Sequence, residues 1–529
     1  MSQPQSRSNS ADEPMNLDGG ALTVPHVEDV ARRGQPVRLG DGARSRLDAS
    51  AAFVAQHATG PDAIYGVNTG FGSLSRKRIG PDDVREVQRN LIRSHAAGVG
   101  DPLSDDTVRA MMVCLAGSLS RGHSGVRATV VDRICDLLNH HITPVVPSRG
   151  SVGASGDLAP LAHVVLALIG EGAVRVDGRE QSSAEALRQA GLEPLTLEAK
   201  EGLALINGTH LMAGLGCLVL ADLRRIQHAA LAATALAIDA SRATDAFLDP
   251  RVHELRRHPW QMFVARRLRD LLAGSRILES HRLDDPRVQD PYCLRAAPQV
   301  LGAAFDMLEW GRGVFERELG AVTDNPLVFP DADERHEMFV SAANFHGMPL
   351  AVALDALTTG VSHVAGIAER RIYWLLAASD SENPVNVYLS PQPGLHSGMM
   401  IAQYTAAACC NEIQTLANPA SVANIPTAAG MEDYNSMGVT SAHQARNAVD
   451  LAGQVIAIEL IVMAEAMEYQ RPLESGEGVE RTYEIIRSRV PRLTEDRPPS
   501  PDIEAVSELI AGGAFDSIAA IDASAEWSG

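Results

Sequence analysis

The strongest constraint on this chain is how little charge its second half carries. Between Ile401 and Gln470 only eight residues are charged: Glu412, Glu432, Asp433, Arg446, Asp450, Glu459, Glu465 and Glu468. Yet that stretch reads as two long Ala/Leu-rich helical runs, roughly 397 to 417 and 436 to 470. Similar runs occupy about 209 to 245, 296 to 320 and 344 to 376. A helix at the surface needs a polar stripe, so helices that are apolar nearly all round must be buried on several sides, in a bundle, an oligomer or both. The expected fold class is mainly α, built on a bundle of long central helices.

Four segments are expected along the 529 residues. Residues 1–20 are rich in Ser, Pro, Gln and Asp and have little to bury, which predicts a disordered tail. Residues 21–207 alternate short helical patterns with Gly-rich connections and read as an N-terminal domain. Residues 208–475 hold the long-helix bundle, and 476–529, interrupted by the Pro-rich stretch 490–502, a C-terminal helical segment. The longest unbroken apolar run, Leu211 to Ala221, falls short of the roughly 20 residues a membrane-spanning helix needs. A formal charge of −20 opposes binding to nucleic acid or to an anionic membrane. Six cysteines without metal-ligand spacing and a polar N-terminus predict a reduced, cytoplasmic protein with neither disulfides nor a structural metal. Only Lys77 and Lys200 are lysines, so any Schiff-base chemistry would fall to one of them.

The chemistry concentrates in Gly150-Ser151-Val152-Gly153-Ala154-Ser155-Gly156-Asp157-Leu158-Ala159-Pro160-Leu161-Ala162-His163. A phosphate loop would need Lys followed by Ser or Thr after the last glycine, and Asp157-Leu158 stand there instead. A nucleophile elbow, Gly-x-Ser-x-Gly, fails at its final glycine. A tight turn feeding a helix is a purely structural possibility. The chemical reading is that the unshielded Gly156 nitrogen attacks the Ala154 carbonyl. Loss of water closes a five-membered ring, and dehydration of Ser155 leaves an electrophilic exocyclic methylene.

This segment closely resembles the signature of the aromatic amino acid ammonia-lyase and aminomutase family, and the likeness runs through spaced motifs from about residue 60 to 470. The resemblance implies that Ala154, Ser155 and Gly156 form 4-methylideneimidazole-5-one autocatalytically, with no external cofactor. It also implies a fold of the fumarase/aspartase-like type and homotetramers whose active sites draw on three subunits. Tyr65, in Tyr-Gly-Val-Asn-Thr-Gly-Phe-Gly, matches the family's mobile-loop base for the β-proton. Asn207 corresponds to an Asn that touches prosthetic group and substrate, although an Asn-Gly-Thr sequence would equally suit a helix cap. Asp290 and Pro291 suit an N-cap and first helical position, which places Tyr292 and Arg295 on one helical face with Gln289 just ahead. Tyr292 then matches a catalytic support residue, while Gln289 and Arg295 match binders of the substrate carboxylate. Phe345 matches an aromatic lining the pocket.

Substrate choice in the family is associated with the pair after Asn90-Leu91-Ile92-Arg93, here Ser94-His95, which resembles the histidine enzymes. Glu432 points the same way, since a carboxylate can pair with an imidazole but is left desolvated against a phenyl ring. Met431, Tyr434, His210 and Ala342-Ala343 depart from the histidine-lyase pattern, with Met431 also expected to line the substrate site. The expected reaction is elimination of ammonia from L-histidine to give trans-urocanate. A histidine 2,3-aminomutase forming β-histidine, or action on another aromatic amino acid, are the alternatives.

Overall fold

In a computed structural model the described residues are 13–72, 77–283, 285–332 and 338–518. Most of the predicted tail, residues 1–12, and the last part of the C-terminal segment, 519–529, therefore lie outside them. The folded chain begins earlier than expected. Met15–Leu17 pairs in parallel with Val37–Leu39, and Leu17 is buried. The Asp18 carboxylate then accepts the Ala43 amide at 3.2 Å, in the first turn of the helix Asp41–Ala58. A strand of three residues surrounded by Ser, Pro and Asp gives almost no periodic signal, which is why this segment reads as tail.

The protein is mostly helical. The five long runs become His210–Ala240, Ala297–Glu318, Met348–Leu376, Met400–Leu416 and Gly438–Met467. The first ends ahead of its apolar pattern because Arg242 takes a left-handed conformation, φ 50°. Alanine serves these helices twice, since it forms helix at low entropic cost and its small side chain admits close neighbours. From Ala229 to Ile238 every residue is buried.

Two compact units share the chain, each entered three times. The first comprises the chain up to Leu218, Arg312–Leu354 and Pro419–His443. The second comprises Val219–Gly311, Asp355–Asn418 and the chain from Gln444 onward. The short strands lie in the first unit, including Val99–Pro102 against Pro147–Arg149, which leads into the Ala-Ser-Gly segment. In the second unit Arg371 and Glu459, both fully buried, meet at 2.5 Å, and the Arg371 Nη1 donates to the Cys293 carbonyl.

Met348–Leu376 and Gly438–Met467 are long and apolar enough to cross a membrane by length and composition, which counting unbroken apolar runs does not detect. Their apolar windows are 67% and 72% buried inside the protein, as expected of core helices. The six cysteines are free thiols, and burial pushes Cys114, Cys135 and Cys410 up to about 12.

Candidate active site

Three glycines with positive φ shape the Ala-Ser-Gly segment: Gly150 at 153°, Gly153 at 64° and Gly156 at 74°. At Gly156 a Cβ would collide with the Gly208 backbone, so only glycine fits both the conformation and the space. The segment is fastened on every side. The Gly153 carbonyl accepts from the Ser436 hydroxyl at 2.7 Å and from the Gly347 amide at 3.0 Å, and the Val152 carbonyl accepts from the Met437 amide at 2.9 Å.

Asp157 anchors the end of the turn. Its amide donates to the Gly208 carbonyl at 2.7 Å, and its Oδ2 accepts the Leu211 and Met212 amides at 2.9 and 3.1 Å. A carboxylate against the first amides of His210–Ala240 complements that helix terminus. Its Oδ1 accepts the Ser151 hydroxyl at 2.9 Å. Burial nevertheless pushes the Asp157 carboxyl up to about 7 against these bonds, which favour the charged form.

Glu432 faces the turn. The Ser155 hydroxyl donates to its Oε1 at 2.6 Å, and the Thr427 hydroxyl donates to its Oε2 at 2.8 Å. Tyr65 is half-buried, and its hydroxyl accepts the Gly72 amide at 3.3 Å. Burial raises its pKa above the ordinary phenol value; the Gly72 bond opposes the rise, and the charges of Glu432 and Asp324 add to it. Asn207 follows the helix Glu201–Ile206 at its C-terminal end and does not stand at an N-cap. Its Nδ2 donates to the Asn325 carbonyl at 3.1 Å, while its Oδ1 is buried without a hydrogen-bond partner. That oxygen is free to accept a hydrogen bond.

Ser94 and His95 close the helix Val84–His95. The His95 Nδ1 lies 2.8 Å from the Leu91 carbonyl, which can only accept, so Nδ1 is the donor of that bond. The Ser94 hydroxyl donates to the same carbonyl at 3.0 Å. Phe345 is half-buried and Met431 is exposed. These residues share the first unit with Tyr65, Asn207, Glu432 and the turn.

Gln289, Tyr292 and Arg295 belong to the second unit and form a cluster of their own. The Arg295 guanidinium lies 4.5 Å from the Tyr292 ring centre, as expected from their spacing. Its Nη2 donates to Gln289 Oε1 at 2.9 Å and its Nε to the Asp290 carbonyl at 2.8 Å. The capping expectation is corrected: the helix is only Tyr292–Arg295, Pro291 precedes it, and Asp290 makes no cap. The Asp290 carboxylate instead accepts the Thr244 amide at 3.0 Å, a partner far away in sequence.

Residues that sequence reasoning missed hold the others in place. Thr427 orients Glu432, Ser436 pins Gly153, and Lys200 pairs with Asp324 beneath Asn207. Asp157 carried a local signal, a carboxylate after the triplet, but its helix-end partners are more than fifty residues away. His210 is fully enclosed beside a cavity of about 10 Å³, room for one water, lined also by Cys114, Ser118, Thr209, Glu318 and Thr323. Burial lowers its pKa to about 4, and its Nδ1 has no hydrogen-bond partner.

The fold and the Ala-Ser-Gly turn accord with a carbon–nitrogen lyase, and the relatives of this chain show that it is one. The chain belongs to the aromatic amino acid lyase family, whose profile matches residues 22–488. It is 45% identical to the histidine ammonia-lyase of Koribacter versatilis over 94% of this chain and 98% of that protein. Among solved structures it resembles histidine ammonia-lyase from Trypanosoma cruzi, with TM-score 0.88 and 37% identity over 96% of this chain and 95% of that one. It resembles tyrosine aminomutase from Streptomyces globisporus at TM-score 0.88 and 36% identity, over 96% and 98% of the two chains.

Proposed function

We propose that this chain eliminates ammonia from L-histidine to give trans-urocanate. The observation that carries this reading is the Glu432 carboxylate, half-buried and 2.6 Å from the Ser155 hydroxyl. Beside a phenyl ring it would lose water and gain no partner, whereas an imidazole N–H or an imidazolium supplies one. The name of the Koribacter relative supports the same substrate.

Residues 154–156 stand here as ordinary Ala, Ser and Gly, so the Ser155 Oγ represents the hydroxyl that dehydration would remove. They fit 4-methylideneimidazole-5-one: Gly156 has no room for a side chain, Ala154 is small and buried, and Asn207 presents an unpaired buried oxygen. Once formed, the group supplies an electrophilic methylene that makes the substrate amine a leaving group. The protein's own residues do the rest. Tyr65 Oη takes the β-proton. Arg295 and Gln289 hold the carboxylate, with Tyr292 packed against the guanidinium. Ser94 and His95 orient the hydrogen-bonding edge of the substrate ring, and Phe345 and Met431 line the pocket.

The same reading includes a cytoplasmic homotetramer with shared active sites, acting on a small amino acid. Its support is the exposure of Tyr292 and Met431, 72% and 67% in a single chain, large apolar groups that another copy would cover. A histidine 2,3-aminomutase is the second reading, favoured by the departures at Met431 and His210 and by the likeness to an aminomutase. One experiment tests both: incubation with L-histidine, following urocanate by ultraviolet absorbance and β-histidine by chiral mass spectrometry. Dominant urocanate supports the lyase, dominant β-histidine the mutase, and neither product overturns histidine as substrate.

A further inference from the structure

Lys200 is one of two lysines in the chain and has no solvent exposure. It sits at the start of the helix Glu201–Ile206 in a left-handed conformation, φ 69°. Its ammonium donates to Asp324 Oδ2 at 2.5 Å and to the Ser124 carbonyl at 2.8 Å. Asp324 Oδ1 accepts the Asn325 amide at 2.6 Å. The Asn325 carbonyl in turn accepts the Asn207 side chain at 3.1 Å, and Asn325 Oδ1 accepts the Ala342 amide at 2.7 Å. One short helix is thus tied at both ends, through Lys200 and Asn207, to the same dipeptide.

The Tyr65-Gly66 turn rests on both halves of this clamp. A Cβ on Gly66 would press on Leu203, inside the helix, at 2.5 Å and reach Pro326, just after the dipeptide, at 3.6 Å. A buried ion pair costs desolvation that a well-packed apolar pair avoids, so its presence here calls for another reason.

We propose that Lys200 is a positioning residue of the reaction: its ion pair with Asp324 sets the placement of Asn207 and Tyr65 and neutralises the carboxylate beneath them. This inference rests on the reading of Tyr65 as the base. Two carboxylates oppose ionisation of Tyr65, Glu432 from its own turn and Asp324 from this clamp. Lys200 is the cation paired with the second of them. The neighbouring Glu201 is paired with Arg127 at 2.7 Å.

The test uses full-length Lys200→Met, Asp324→Asn and the double variant, each first checked for the mass deficit of two waters, for melting temperature and for L-histidine turnover in the parent protein. If the parent fails on histidine but turns over another aromatic amino acid, the same comparison is run on that substrate, which separates failure of the substrate reading from failure of this one. Lys200→Met leaves Asp324 unpaired, and the limb of the kcat/KM pH profile that reports the base is expected to move up by about one unit. Adding Asp324→Asn should return the limb to its parent position while kcat stays about tenfold low at near-parent KM, because the clamp is gone. A purely structural lysine would lower the folded fraction without moving the limb. An unmoved limb in Lys200→Met overturns the proposal. Should that variant not fold, full parent kcat in the double variant overturns it, and the expected tenfold loss at unchanged KM upholds it.

Discussion

The Ser155 hydroxyl and the Glu432 carboxylate, 277 residues apart in the chain, meet at 2.6 Å. Ahead of the dehydration proposed for Ser155, this contact places Glu432 against the Ala-Ser-Gly turn, and the proposed reading has Glu432 face the substrate ring. Replacing Ser94-His95 by Phe-Leu together with Glu432→Gln is therefore expected to lower kcat/KM for histidine about a hundredfold, and far more than for phenylalanine. Steady-state kinetics on both amino acids checks this, and equal losses would remove these residues from selectivity.

Ser155→Ala removes the hydroxyl whose loss would create the proposed methylene. Turnover should fall at least about a thousandfold, equivalent to about 4 kcal/mol of barrier, with little change in melting temperature. Intact mass spectrometry should show the parent two waters lighter than its sequence, and the variant without the dehydration of residue 155.

The buried pair of Arg371 and Glu459 holds no water-facing surface, and Arg371 also supports the helix Tyr292–Arg295 through Cys293. Glu459→Leu leaves an uncompensated guanidinium and should cost about 3–5 kcal/mol, whereas Arg371→Met with Glu459→Leu should recover most of that loss. Thermal unfolding of the parent and the two variants decides this, and a double variant as unstable as the single one would argue against an electrostatic origin.

His210 binds its proton in the native chain only below about pH 4, against an ordinary value of 6.5. Between those values the unfolded state holds more protons, so stability falls as pH drops through this window. The loss at pH 5 is on the order of 2 kcal/mol. His210→Gln should flatten this part of the curve, measured as melting temperature at pH 7.5 and pH 5, and an equally steep decline in the variant would place the acid sensitivity elsewhere.

Much was legible in the chain itself. The uncharged runs announced long interior helices because an α-helix exposes its own periodicity, and Ala-Ser-Gly between glycines is legible as a candidate for ring closure because that chemistry needs small residues in adjacent positions. The pairing of Tyr292 with Arg295 was visible for the same reason, as both lie within one turn. Hidden were the strand Met15–Leu17, the true partner of Asp290, and the supports at Asp157, Thr427, Ser436 and the Lys200–Asp324 clamp. Each depends on a partner brought in from elsewhere in the chain, and no local period records such a meeting. The sequence by itself therefore determined the helices and the Ala-Ser-Gly triplet, which are properties of neighbouring residues. Only the tertiary structure decided which carboxylate faces Ser155 and which cation sits beneath Asn207, because burial and distance belong to the packed chain alone.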